Sequence, residues 1–123
     1  MAQLPTTYVI DDDDAVRDSI RLLLECMGFV VRTYASCTAF LREARLEANS
    51  CILVDVDMPE MTDLQFLDQL RRDGIETSAI VMTGRAGDAK IRPAADRAGA
   101  MLLQKPFRAG ELVRCIKGLL SQE

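Results

Sequence analysis

The chain reads as one α/β domain, a doubly wound parallel sheet covered by helices on both faces. Short apolar runs of strand length alternate with stretches of helical period along its 123 residues. The runs are apolar at nearly every position, as in strands buried on both faces. The loops between them are short, so five βα units fit one small domain over residues 1–123.

The first strand is "TTYVID", with Tyr8, Val9 and Ile10 as its apolar body. Val16, Ile20, Leu23, Leu24 and Met27 then recur at helical spacing, and Gly28 is a good stop residue. "FVVRTY" is rich in strand formers, and Ser36 is placed to cap a helix carrying Phe40, Leu41 and Ala44. "SCILVD" is the third strand, and after "MPEMT" a helix carries Leu64, Phe66, Leu67 and Leu70 and stops at Gly74. "SAIVMT" and "AMLLQ" are strands four and five, and Leu112, Ile116 and Leu119 mark the last helix. Between those two strands "GDAKIRPAADRAGA" contains Pro93, which cannot sit in a helix interior and pushes Arg92 toward extended geometry. A short helix starting at Pro93 is therefore expected, loosely held because its face is mostly alanine.

Composition excludes several classes of function. No apolar run is long enough to span a bilayer, and the N-terminus lacks the basic-then-apolar pattern of a secretory signal. Net charge is −4 with no basic stripe, which argues against direct nucleic-acid binding and against a membrane surface. Cys26, Cys37, Cys51 and Cys115 form no C-x-x-C pair and sit among apolar neighbours, so buried thiols in a reduced, cytoplasmic protein are expected. There is no histidine, which removes Ser–His and Cys–His catalysis and any histidine metal site or general base.

In open parallel sheets, sites form beyond the carboxyl ends of the strands. Those ends carry Asp11 and Asp12 after strand one, Asp55 after strand three, Thr83 after strand four and Lys105 after strand five. Four adjacent carboxylates at residues 11–14 repel one another, so the run reads either as a solvated acidic turn or as the wall of a cation site. The other strand ends favour the cation. Asp11, Asp12 and Asp55 bring −3, which one Mg²⁺ and Lys105 balance. Without the cation, crowded carboxylates raise each other's pKa. Mg²⁺ takes oxygen ligands and keeps several waters, so a few carboxylates and a carbonyl suffice. Such a site can accept a phosphoryl group, with Asp55 attacking in line and Lys105 and Thr83 contacting phosphoryl oxygens.

The ordered set "VIDDDD", "LVDVDMP", "IVMTG" and "QKPF" resembles the receiver domain of two-component response regulators over nearly the whole chain. The stretch "DDDDAVRDSIRLLLECMGFVV" is most similar to the nitrogen-fixation regulator (FixJ-like) subfamily. The resemblance implies a flavodoxin-like sheet of strand order 2-1-3-4-5. It makes Asp55 the phosphoacceptor, followed by a turn through Met58 and Pro59. Asp12 becomes a direct Mg²⁺ ligand, Asp11 a water-mediated one, and the backbone carbonyl of Asp57 the last protein ligand. Thr83 becomes the switch hydroxyl, Lys105 the phosphate contact, and the Lys105–Pro106 bond cis. The implied donor is a phosphohistidine on a sensor histidine kinase or histidine phosphotransfer protein. The only chemistry implied is the domain's own phosphorylation and dephosphorylation, with switched protein contacts as output, and a homodimer is compatible with it.

Three positions depart from the family pattern. Asp63 stands where a glycine is usual, Leu102 where the aromatic switch residue is usual, and Pro93 disturbs a helix many relatives use for output. Asp57 and Arg85, each two residues past a site residue, read either as exposed loop charges or as a pair tuning the lifetime of the acyl phosphate. Because the chain ends soon after the fifth helix, a stand-alone receiver is expected, the alternative being the N-terminal receiver of a truncated transcription factor. Three rival readings are weaker. A haloacid-dehalogenase-type phosphatase using Asp55 and Asp57 leaves Asp11 and Asp12 unexplained. An unphosphorylated interaction module does not need the full residue set. A nucleotide binder would have its phosphate repelled by the acidic run.

Overall fold

A computed structural model describes residues 6–46, 49–57, 63–85 and 87–120. The elements are β1 (Thr6–Ile10), α1 (Asp14–Cys26), β2 (Val30–Tyr34), α2 (Cys37–Glu43), β3 (Ser50–Asp55), α3 (Asp63–Arg72), β4 (Ser78–Thr83), α4 (Ile91–Arg97), β5 (Met101–Gln104) and α5 (Ala109–Leu120). The five strands form one parallel sheet in the order β2-β1-β3-β4-β5, the expected order.

Alternation along each strand divides the core in two. Tyr8, Ile10, Ile52, Val54, Ala79 and Val81 face α2, α3 and α4, where Phe40, Phe66, Leu70 and Ala95 cover them. Val9, Leu53, Ile80 and Met82 pack on the other face against Ile20 and Leu24 of α1 and Leu112 and Ile116 of α5. Burial on both faces explains why the strands read as continuous apolar runs. On the first face Phe40 meets Tyr8, Tyr34 and Phe66 edge-on at centroid distances of 5.7, 5.3 and 5.6 Å. Aromatic pairs favour that geometry.

Local signals set most helix ends. Ser36 caps α2, its side chain accepting from the Ala39 N–H at 3.0 Å. Gly28 and Gly74, which follow α1 and α3, take φ of 95° and 79°, a region other residues avoid. Leu64's side chain and the turn through Met58 and Pro59 lie outside the described residues.

Two expectations are corrected. Helix α4 begins at Ile91, not at Pro93, and Arg92 is helical rather than extended. A turn held by Lys90 N–H to Asp88 Oδ1 (2.9 Å) and Ile91 N–H to Asp88 O (3.2 Å) delivers the chain already in helical geometry. Pro93 is then third in the helix, where its missing N–H has no intrahelical partner to lose. The cysteines are not all buried: Cys37 and Cys51 are, Cys115 is half-buried and Cys26 is exposed. The α1 stripe is helical as expected, with Ile20 and Leu24 fully buried and Val16 and Met27, at its two ends, reaching the surface.

Candidate functional site

Sheet register assembles the site. Ile10 pairs with Val54, so the next residues, Asp11 and Asp55, stand side by side at the carboxyl edge of the sheet. Thr83 pairs with Gln104, and the Lys105 N–H donates to the Thr83 carbonyl at 2.8 Å, fixing the start of the last loop. The Lys105–Pro106 bond is cis, as the resemblance implies. Asp11, Asp55 and Thr83 are buried, whereas Asp12 is exposed.

The acidic run divides its labour. Asp13 is the N-cap of α1, its side chain accepting from the N–H groups of Ala15 (2.9 Å) and Val16 (3.2 Å). Asp14 pairs with Arg17, whose guanidinium also donates to the Asp11 carbonyl at 2.6 Å. That leaves Asp11 and Asp12, which with Asp55 bring one carboxylate oxygen each to within 4.8 Å of one another. The sequence signal for the cap was an aspartate just before an amphipathic stretch, a common helix start that the cation reading overshadowed.

Electrostatics mark this cluster as built for a cation. Asp11 Oδ1 accepts from the Asp13 N–H at 2.9 Å, but Asp11 Oδ2 is buried with no hydrogen-bond partner. Burial, reinforced by the neighbouring charges of Asp55 and Asp12, pushes the Asp11 carboxyl up to about 6. An orphaned buried carboxylate oxygen is costly. Three hard oxygen donors, one of them orphaned, fit a divalent ion such as Mg²⁺.

Asp55 also meets a set of donors. Lys105 Nζ stands 2.8 Å from Asp55 Oδ1, which also accepts from the Asp57 N–H at 2.8 Å. Partial burial works against the Lys105 charge, but Asp55, Asp57 and Asp11 together raise its pKa. Asp57 and Arg85 do pair, Arg85 Nε lying 3.2 Å from Asp57 Oδ1. The Asp57 carboxylate also accepts from the Thr83 hydroxyl at 2.8 Å and the Gly84 N–H at 2.7 Å. Sequence reasoning missed Gly84, because a backbone donor has no side-chain signature. Leu102, in the place usual for an aromatic, is half-buried against the core facing α2–α4.

A buried carboxylate grouped with two further acids and a lysine, at the carboxyl edge of a 2-1-3-4-5 sheet, defines a class. The family model of the response regulator receiver domain matches residues 7–117, and the chain belongs to that family. It is 38% identical over 116 residues to the transcriptional regulatory protein FixJ of Azorhizobium caulinodans, covering 94% of this chain and 54% of that protein. It is 35% identical over 114 residues to the response regulator protein TodT of Pseudomonas putida, covering 92% of this chain and 50% of that protein. The chain thus spans about half the length of these curated relatives. Among solved structures it superposes on the N-terminal part of FixJ with a TM-score of 0.84 at 32% identity, covering 94% of this chain and 93% of that one. A receiver domain from Methanospirillum hungatei gives a TM-score of 0.87 at 26% identity, covering 98% and 96% of the two chains. Among the described residues, no helix is long and apolar enough to cross a membrane.

Proposed function

We propose that the protein is a phosphorylation switch in which Asp55 takes a phosphoryl group from a phosphohistidine on a sensor kinase or phosphotransfer protein. The observation that carries the reading is one buried carboxylate gathered with both an acidic pair and an ammonium. Asp11 and Asp12 bring carboxylate oxygens to within 4.8 Å of one of Asp55, and Lys105 Nζ lies 2.8 Å from Asp55 Oδ1. In this reading Asp11, Asp12, Asp55 and the Asp57 carbonyl would hold Mg²⁺, which when bound would supply charge neutralisation for the carboxylates and for a phosphoryl oxygen.

The rest of the work falls to the chain's own groups. A carboxylate oxygen of Asp55, held in place by Lys105 and the Asp57 N–H, forms the new O–P bond. The P–N bond of the donor breaks, and the imidazole leaves with its electron pair and takes up a proton. Lys105 and Thr83 then hold phosphoryl oxygens, so that position and charge neutralisation supply the rate. These 123 residues contain no histidine, so the donor imidazole lies outside them. An open cleft of about 710 Å³, lined by Ala15, Val16, Ile20 and Phe107, runs up to Lys105 and Gly84 and offers such a donor an apolar footing.

The output in this proposal is a change in protein contacts. The FixJ relative is about twice as long as this chain and is described as a transcriptional regulatory protein. That favours a second reading, in which the receiver controls an attached output domain; the length of the full reading frame decides between them. The function itself is tested by incubation with Mg²⁺ and acetyl phosphate followed by intact mass. One phosphoryl adduct is expected, lost in Asp55→Asn and in excess chelator. An undiminished adduct in Asp55→Asn overturns the assignment.

A further inference from the structure

The Asp57 side chain sits where the proposed function needs empty space. Its carboxylate takes four donors: the Thr83 hydroxyl (2.8 Å) and Arg85 Nε (3.2 Å) on Oδ1, and the Gly84 N–H (2.7 Å) and Lys105 Nζ (3.4 Å) on Oδ2. Thr83 and Lys105 are the groups that must hold phosphoryl oxygens, and Gly84 lies next to Thr83. A hydroxyl and an N–H have one proton each to donate. While Thr83 and Gly84 serve Asp57, they cannot serve an incoming group.

We propose that the Asp57 carboxylate is an internal occupant of the seat that receives the phosphoryl oxygens, a latch that must leave before Asp55 can be phosphorylated. The inference rests on the reading of Asp55 as phosphoacceptor. Carboxylate and phosphoryl are both anions that accept charge-assisted hydrogen bonds, so one can stand in for the other. Arg85 holds the outer side of the latch. Its guanidinium is 59% exposed and lies 3.9 Å from Asp88 Oδ2, so it has a second acidic partner when Asp57 swings out. Partial burial disfavours the Asp57 charge, but Gly84, Thr83, Arg85 and Lys105 outweigh it and hold the carboxyl below its ordinary range. The occupant is therefore a full anion at neutral pH. The latch also couples the site to its switch residue, because Thr83 cannot turn to a phosphoryl oxygen until Asp57 has released it.

The test uses beryllofluoride, a phosphoryl mimic, at saturating Mg²⁺. Affinity is read by fluorine NMR for the wild type, Asp57→Ala, Asp57→Asn and Arg85→Ala, with thermal melts confirming that each is folded. The latch predicts a gain of about tenfold in Asp57→Ala, the equivalent of one charge-assisted contact, and a smaller gain in Arg85→Ala. Phosphorylation by acetyl phosphate should speed up in the same order. Thr83→Ala should cost more affinity in the Asp57→Ala background than in the wild type, a non-additivity that simple charge relief does not give. Equal or weaker beryllofluoride binding in Asp57→Ala and Asp57→Asn overturns the latch. Should Asp57→Ala fail to fold, Asp57→Asn and Arg85→Ala carry the same decision. Asp55→Asn separates the two claims: if it takes up phosphoryl as the wild type does, the phosphoacceptor reading itself falls.

Discussion

Lys105 Nζ lies 2.8 Å from Asp55 Oδ1, an ion pair between the ends of β5 and β3 that is shielded on the Asp55 side by burial. The pair has two consequences. It orients the Asp55 carboxylate, and in the proposed function it places a cation where charge builds up during transfer. Removing one preorganised donor from such a site costs on the order of 10²-fold in rate. Lys105→Ala should therefore slow phosphorylation by acetyl phosphate by about that factor, measured by intact mass against time. Stability should fall as well, because the substitution leaves the buried Asp55 carboxylate without its ammonium. A variant that is phosphorylated at the wild-type rate would show that the pair is only structural.

Asp11 makes the metal-free protein sensitive to pH in an unusual direction. Burial raises its carboxyl from 3.8 to about 6, so between those values the folded protein binds more protons than the unfolded chain. The contribution is fully present below about pH 4 and is lost as pH rises through 6. In chelator, then, this group lowers stability across that window by an amount of order 1–3 kcal/mol. Asp11→Asn should flatten that part of the urea-unfolding profile, and saturating Mg²⁺ should reverse its sign in the wild type. The same substitution should weaken Mg²⁺ binding. An unchanged profile in Asp11→Asn would mean that the buried carboxylate carries no such cost.

What the sequence disclosed and what it hid divide along physical lines. The strands were legible because burial on both faces leaves no polar position in "CILV" or "AIVM", and their carboxyl ends follow directly. That is why Asp11, Asp55, Thr83 and Lys105 could be placed together before any coordinates. The start of α4 was hidden, because proline rules describe Pro93 alone, whereas the turn at Asp88 fixed the geometry two residues earlier. The destination of the Asp57 carboxylate was hidden too. Its spacing from Asp55 gave the mouth of the site, but three of its partners come from residues 83–85, and one of those is a backbone N–H. Long-range partners of that kind have no local pattern to read.

Arg71 gives a prediction about the scaffold. Its guanidinium donates to the carbonyls of Ala98 (2.9 Å), Ile75 (2.8 Å) and Thr77 (3.0 Å), tying the end of α3 to the approach to β4 and to the end of α4. Burial lowers its pKa, which signals a desolvated charge compensated by those carbonyls. Truncation to alanine leaves carbonyls without their donor and should cost about 1–3 kcal/mol by urea unfolding. Lysine cannot span the three carbonyls with one ammonium, so Arg71→Lys should recover only part of the loss. Full recovery would show that charge, and not the planar fork, holds α4.

The final prediction separates acids that are adjacent in sequence but differ in purpose. Asp13 accepts from two N–H groups that begin α1, whereas Asp12 is exposed and contributes its oxygen to the cluster with Asp11 and Asp55. Loss of an N-cap costs about 1 kcal/mol. Asp13→Ala should therefore lower stability by about that amount and leave Mg²⁺ affinity within a factor of about two. Asp12→Ala should do the opposite. Removing one of three crowded carboxylates relieves repulsion, so the metal-free protein should hold or gain stability. Its Mg²⁺ affinity should fall by about tenfold or more, since a direct oxygen ligand is gone. Isothermal titration with Mg²⁺ and urea unfolding in chelator, run on both variants, read the two effects independently. If Asp13→Ala loses Mg²⁺ and Asp12→Ala keeps it, the division of the acidic run is reversed, and with it the choice of ligands around Asp55.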